Sequence, residues 1–388
     1  MSKLRAGRVL ALMVGLVLTA LALGGAVVQA RPAGARAAAA RFDPATVAAM
    51  TSIVQGAMAS SGTPGMAVGV WIPGRGNYIR TFGTANVKTG ARFALRDHVR
   101  IASITKTFTA TVILELVDRH RLKLTDHLSQ FVHNIPNGSE ITVKELLNMT
   151  SGVYDFTNDP TFLANYQADP TAPFGPANAL AIVRRHAPSF APGTGVEYSD
   201  SNYILLELIA QRVTGVPIRN LIQRRVIVRL GLRHTSYPVT PAMPAPFAHG
   251  YFAENGALRD VTRSNPNAAG GAGAIISTLH DLKLWAKALA AGTLLSPATQ
   301  ALRLQTVSLG GVPGKIELRY GLGILTVNGF IGHNGAILGY GTAMFYFPKT
   351  HATFVIEGNN NDLSSTVPTD IFIKLAYLLY PHQFPNGI

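Results

Sequence analysis

The sequence contains no cysteine. That excludes disulfides, a thiol-linked lipid anchor and thiolate chemistry, so stability has to come from the size of the core. Charge is also scarce: Asp, Glu, Lys and Arg make up 14% of the 388 residues, against 47% hydrophobic. Such a chain does not read as disordered and can bury a large core. No internal repeat is present, and no low-complexity block follows about residue 41. No serine has a glycine two residues before it, which excludes the G-x-S-x-G elbow. There is no H-E-x-x-H, and the 11 histidines do not cluster as metal ligands do, so neither a metal site nor a cofactor is expected. "GVPGKI" (311–316) lacks the Ser or Thr and the glycine spacing of a phosphate loop and reads as a turn.

Acidic residues are outnumbered: 34 Lys and Arg against 20 Asp and Glu give a net charge of +14. Lys3, Arg5 and Arg8 precede an uncharged run from Val9 to Ala30 that ends in "VVQA". This is the pattern of an export signal cleaved after Ala30, or of an uncleaved anchor, since the run is long enough to span a bilayer. Removing residues 1–30 removes three basic residues, 14 − 3 = +11. On an exported chain that charge either only aids solubility or favours an anionic membrane or cell-wall surface. The arginines are scattered and form no recognisable nucleic-acid module, so no nucleic-acid partner is expected. Residues 31–41 read as a linker, and 42–388 as one domain, expected to be monomeric.

The helix expected over Phe42–Ser61 has Asp43 as its cap and Pro44 in its first turn. "GMAVGVWI" and "NYIRTFG" form a hairpin pattern around "PGRG". The middle, from about Leu122 to Ala290, is helix and loop, and its helices "SNYILLELIAQRVTG" and "LHDLKLWAKALAAG" stop at glycine. Strands return in "YGLGILTV", "GFIGH", "GYGTAMFYFP" and "TFVIEG", before a last helix at roughly 370–380. The fold class is therefore α+β: an antiparallel sheet built from both termini, flanked by helices, with a mostly helical insertion.

"IASITKTFTATVIL" (101–114) carries the first chemistry. Phe108, Val112 and Leu116 recur every four residues, which marks a core helix. Ser103 stands at its start, where free N–H groups and the dipole favour an oxyanion, and Lys106 lies one turn on, facing the same way. Burial disfavours a lysine's charge, which makes Lys106 a candidate proton acceptor. A capping serine and a lysine reaching for solvent fit the same four residues.

"IASITKTFTATVILEL", "ITVKELLNMTSGVYDF", "FAPGTGVEYSDSNYILLELIAQRVTG", "AAGGAGAIISTLHDL" and "GHNGAILGYGTAMFYFP" occur in this order. Together they resemble the successive signatures of the serine β-lactamase-related, penicillin-binding family, in its branch of class C β-lactamases, D-alanyl-D-alanine carboxypeptidases and esterases. The resemblance covers about residues 45–385. It implies an exported acyl-enzyme hydrolase acting on a D-peptide such as the peptidoglycan stem, a β-lactam or a small ester, with the carboxypeptidase expected first; a non-enzymatic penicillin-binding sensor or scaffold that keeps the fold is the further alternative. It implies Ser103 as nucleophile, Lys106 as proton acceptor and Tyr198 as proton shuttle. His333, Asn334 and Gly335 stand where the family usually has Lys-Thr-Gly. His333 is then expected to bind a substrate carboxylate or donate to Tyr198, Gly335 to let substrate approach, and the N–H of Ala336 to complete an oxyanion hole with that of Ser103. The usual Tyr-x-Asn reads Tyr-x-Asp here, so Asp200 either caps its helix, pairs with Lys106, or lines the site against anionic groups. Glu145 belongs to the "ELLN" helix and is not expected to act in deacylation.

Overall fold

The computed structural model describes residues 41–254, 256–363 and 367–388. The expected export segment (1–30) and linker (31–41) lie outside the described residues, except for Arg41. Among the described residues, no helix is long and apolar enough to cross a membrane.

Nine antiparallel strands form the main sheet. Three come from the N-terminal part: β1 (Gly65–Ile72), β2 (Gly76–Asn86) and β3 (Ala91–Arg92). Six come from the C-terminal part: β4 (Val307–Val312), β5 (Ile316–Tyr320), β6 (Leu325–Val327), β7 (Phe330–Ile337), β8 (Tyr340–Phe347) and β9 (Ala352–Gly358). Their spatial order is β3-β2-β1-β9-β8-β7-β6-β5-β4, so the two ends of the chain meet where β1 pairs with β9. This is the expected sheet. The turn read in "GVPGKI" joins β4 to β5, and "YGLGILTV" divides into the end of β5 and β6.

The central strands read as apolar runs because both sheet faces are covered. Helices α1 (Pro44–Ser61) and α5 (Val367–Leu379) lie on one face, where Phe372 stacks on Phe345 at 4.0 Å. Asp43 caps α1 as expected, accepting from the N–H of Thr46. Helix α5 begins a few residues earlier than expected because Pro368 fits a first turn, where its missing N–H costs nothing. Helix α4 (Leu279–Ala291) packs on the other face. Between β3 and β4 lies the mostly helical insertion, with helices α2 (Thr105–Asp118) and α3 (Asp200–Thr214) packed against each other.

Helix α2 is buried nearly all round and not along one stripe. Its threonines bind neighbouring segments: Trp285 Nε1 donates to Thr107 at 2.7 Å, and Arg303 donates to Thr111 at 2.6 Å.

On the α4 face of β9, Glu357 is 1% exposed and its Oε1 has no hydrogen-bond partner among the described residues. Burial, with Asp97 and Asp281 nearby, holds its carboxyl well above the usual range. A carboxyl raised in this way binds its proton more tightly folded than unfolded. It therefore stabilises the fold at acid pH, and that contribution is lost as pH rises above its ordinary range near 4.5. Glu357→Gln removes the liability: its Tm exceeds that of wild type at pH 8, by about 2–4 °C per kcal/mol recovered, and the gap closes towards pH 4. Thermal melts across pH check this.

Candidate active site

The strand pair Val99–Arg100 and Ile276–Ser277 delivers the chain to Ala102, whose φ of 48° lies in the left-handed region. A non-glycine residue there is strained, and such strain persists only where surroundings enforce it. The surroundings here are two clamps on Ile101: its N–H donates to the Ile275 carbonyl at 2.9 Å, and its own carbonyl accepts from Thr342 Oγ1 at 3.1 Å. A short 3-10 turn, Ala102–Ile104, then places Ser103 just ahead of α2.

Ser103 makes no side-chain cap, and Lys106 is 0% exposed, so neither bland reading of the motif holds. Lys106 Nζ meets three oxygens: Ser103 Oγ at 2.9 Å, the Ala272 carbonyl at 3.1 Å and, closest, a carboxylate oxygen of Asp200. The carbonyl and carboxylate can only accept. An ammonium satisfies all three oxygens as donor. A neutral amine satisfies those two and turns its lone pair to the Ser103 hydroxyl. The cage thus fits Lys106 on either side of a proton transfer.

Asp200 is the first residue of α3, after Ser199, and makes no cap. Of the roles open to it, the structure shows the pairing with Lys106 and places Asp200 on the lining of the adjoining cavity. Tyr198 stands beside them, with Lys106 Nζ 4.8 Å from its ring centroid. Burial and the charge of Asp200 hold the phenol well above its ordinary range, against a hydrogen bond with Ser103 that lowers it. Tyr198 is therefore a protonated phenol, not the phenolate base that a neighbouring cation would favour.

His333 is 1% exposed, and protein groups occupy both ring nitrogens. Its Nδ1 faces the Asn334 carbonyl at 2.6 Å and must carry the proton, so Nε2 accepts from the Tyr320 hydroxyl at 3.0 Å. Burial and Lys106 push its pKa down to about 3. A neutral, enclosed imidazole offers no cation to a substrate carboxylate. Its ring centroid lies 6.1 Å from that of Tyr198. Asn334 points to the opposite sheet face, donating to Thr369 Oγ1 at 3.1 Å, and takes no part in the site. At Gly335 a Cβ would stand 2.4 Å from the Ile101 carbonyl oxygen and 2.6 Å from Thr342 Oγ1. The missing side chain lets β7 press against the segment that carries Ser103. Glu145 closes a capping box with Thr142, as expected of a structural residue.

A cavity of about 490 Å³ opens at Ser103. Phe156, Phe162, Leu163, Tyr166, Ile337 and Leu363 give it apolar walls, and Ala336 is part of its lining. None of the described lining residues is Lys, Arg or His, whereas Asp200 and Asp362 are acidic. Among the described residues, no group of side chains could hold a metal ion.

Asp155 was not singled out in the sequence. It caps the turn Phe156–Asn158 and is pushed up to about 7 by burial and by the nearby charge of Asp200. Read along the chain, "YDFT" signals only a cap; the acidic neighbour is brought by the fold.

The description β-lactamase matches residues 50–377, most of the chain. The chain belongs to the β-lactamase family. It is 29% identical over 257 residues to the D-alanyl-D-alanine-carboxypeptidase/endopeptidase AmpH of Escherichia coli (strain K12), covering 64% of this chain and 63% of AmpH. It is 28% identical over 200 residues to a β-lactamase of Pseudomonas fluorescens, covering 52% and 53%. This family member thus spans less than two thirds of the length of those curated relatives. A solved D-stereospecific amidohydrolase from Streptomyces sp. is similar over 86% of this chain and 98% of its own, at 29% identity and a TM-score of 0.76.

Gly335→Ala is expected to push the Ser103 segment away from β7. The acylation rate should fall by about 100-fold, as misplacements near 1 Å do. Stopped-flow acylation by an activated ester, with a melt to confirm folding, measures it.

Proposed function

We propose that the chain is an exported active-site serine hydrolase that cleaves amide bonds of D-amino-acid derivatives through an ester on Ser103. The acyl side of its substrates bears an apolar side chain and an uncharged or cationic end. The observation that carries this reading is the Ser103–Lys106–Asp200 chain opening into an apolar cavity whose described lining is acidic and includes no basic residue. The similarity to a D-stereospecific amidohydrolase and to AmpH supports the D configuration.

Ser103 Oγ attacks the substrate carbonyl while its proton passes to Lys106 Nζ, which gives one of its own to Asp200. Tyr198, held protonated, donates to the leaving nitrogen as the C–N bond breaks. Its phenolate then recovers a proton through Lys106. Water reverses these roles in deacylation, and the Ser103 oxygen leaves with a proton. The N–H groups of Ser103 and Ala336 are the proposed oxyanion donors.

The carboxypeptidase reading, expected first from the sequence, needs a cation for the substrate's free carboxylate. With His333 neutral and Lys106 enclosed, the described residues supply none at the cavity. A free carboxylate is therefore disfavoured against an amide or an amine. β-Lactam opening shares the acylation step and remains the alternative; the similarity to a β-lactamase favours it.

Intact mass and product release with D-phenylalanine amide, its L enantiomer, a D-Ala-D-Ala peptide and penicillin test this. The D-amide is expected to turn over fastest, with Ser103→Ala reducing kcat by about 10³–10⁶-fold. Faster release of D-Ala from the D-Ala-D-Ala peptide would overturn the preference, and a fully active Ser103→Ala would overturn the site. Export, with a soluble or surface-attracted monomer as product, is proposed from the basic start and uncharged run. N-terminal sequencing of the secreted fraction should begin at Arg31.

A further inference from the structure

The third oxygen around Lys106, the Ala272 carbonyl, belongs to a turn of small residues, Gly270–Gly273. A glycine-rich turn does not hold a carbonyl in place by itself. Four hydrogen bonds fix this segment. Thr109 Oγ1 donates to the Gly271 carbonyl at 2.7 Å. Thr105 Oγ1 accepts from the N–H of Ile275 at 3.1 Å. Lys106 itself takes the Ala272 carbonyl. The fourth comes from Glu207, whose Oε2 accepts from the N–H of Gly271 at 2.7 Å. Glu207 lies seven residues after Asp200 on α3, two turns on and on the same face.

We infer that Glu207 is a positioning residue for the Ser103–Lys106 couple, acting through the Gly271 N–H to hold the Ala272 carbonyl against Lys106 Nζ. This rests on the serine-hydrolase reading above. The fit is close: a Cβ on Gly270, whose φ is 45°, would stand 2.8 Å from Glu207 Oε2, and one on Gly271 would stand 2.9 Å from the Tyr203 carbonyl. Helix α3 thus presents two carboxylates to one lysine, Asp200 directly and Glu207 through one peptide unit. The other titratable groups that face Glu207 are Arg219 and Tyr237, and among the described residues it forms no ion pair. Its pKa is pushed up to about 7 by burial. The bond to Gly271 is therefore charge-assisted above neutrality and weaker below it.

The test uses the exported form of the chain and a p-nitrophenyl ester as acyl donor, with wild type, Glu207→Gln, Glu207→Ala and Ser103→Ala. Glu207→Ala is expected to lower kcat by about 10–100-fold with KM within about threefold, since the substrate cavity does not include Glu207. Glu207→Gln keeps an oxygen of the same reach and should lose only about two- to fivefold at pH 8. Its ratio to wild type should approach one at pH 6, where Glu207 is also uncharged. The ratio cancels any contribution from Asp155. Glu207→Ala folded with a wild-type Tm and wild-type kcat would overturn the inference. If that variant does not fold, a wild-type to Glu207→Gln ratio that is constant from pH 6 to pH 8 would overturn it instead. An active Ser103→Ala would overturn the parent reading whatever Glu207 does.

Discussion

A lysine ammonium with no exposed surface is the constraint on which the site is built. Burying such a charge is costly unless it is paired and its donors are satisfied. Lys106 meets that condition with one carboxylate, one carbonyl and one hydroxyl, drawn from α3, from the glycine turn and from its own helix. Removing any one of them leaves an ammonium N–H without its protein acceptor. The Ser103 hydroxyl is therefore part of what makes the buried cation tolerable. Burial first, and this pair second, shifts the neighbouring groups: burial and Lys106 push His333 down, while burial and Asp200 push Tyr198 and Asp155 up.

Geometry this tight needs a frame that cannot yield. Helix α2 supplies it by being enclosed on every side, with threonines where a half-exposed helix would carry solvated charges. The hydroxyls reach three segments outside the helix: Thr105 and Thr109 meet the chain around the glycine turn, Thr107 meets Trp285 and Thr111 meets Arg303. The sheet completes the frame through Thr342 and through the missing side chain of Gly335. The strained backbone of Ala102 is held between these two sides.

Much of this was legible in the sequence. Alternation and apolar runs gave the strands of both termini, and their joining at β1 and β9 follows from the need to bury both faces. Ser103, Lys106 and Tyr198 were identified by motif order and come together. What the sequence hid has a common cause. Asp155, Glu207, Thr109 and Ala272 are defined by partners distant along the chain, and each has an ordinary local reading as a cap, a helix residue or a turn. His333 and Asn334 were misjudged because a motif names positions without saying which sheet face each occupies. Strand alternation sends Asn334 to α5, and the packing of Tyr320 turns the His333 ring inward.

The two departures from the family's motifs belong together. Where Lys-Thr-Gly is usual, a second cation would stand near Lys106; here the position holds a neutral histidine. Where Tyr-x-Asn is usual, an amide would leave the lysine's charge uncompensated; here Asp200 compensates it. A site with two lysines and an amide attracts anions. This site, with one lysine and one carboxylate, carries no net charge, and what faces the cavity is the carboxylate. On the proposed reading, the two departures turn the charge that faces the cavity from basic to acidic while Ser103 and Lys106 keep their places. On that reading, the departures act on which substrate charge is accepted, and the proposed Ser103–Lys106 chemistry is common to both arrangements.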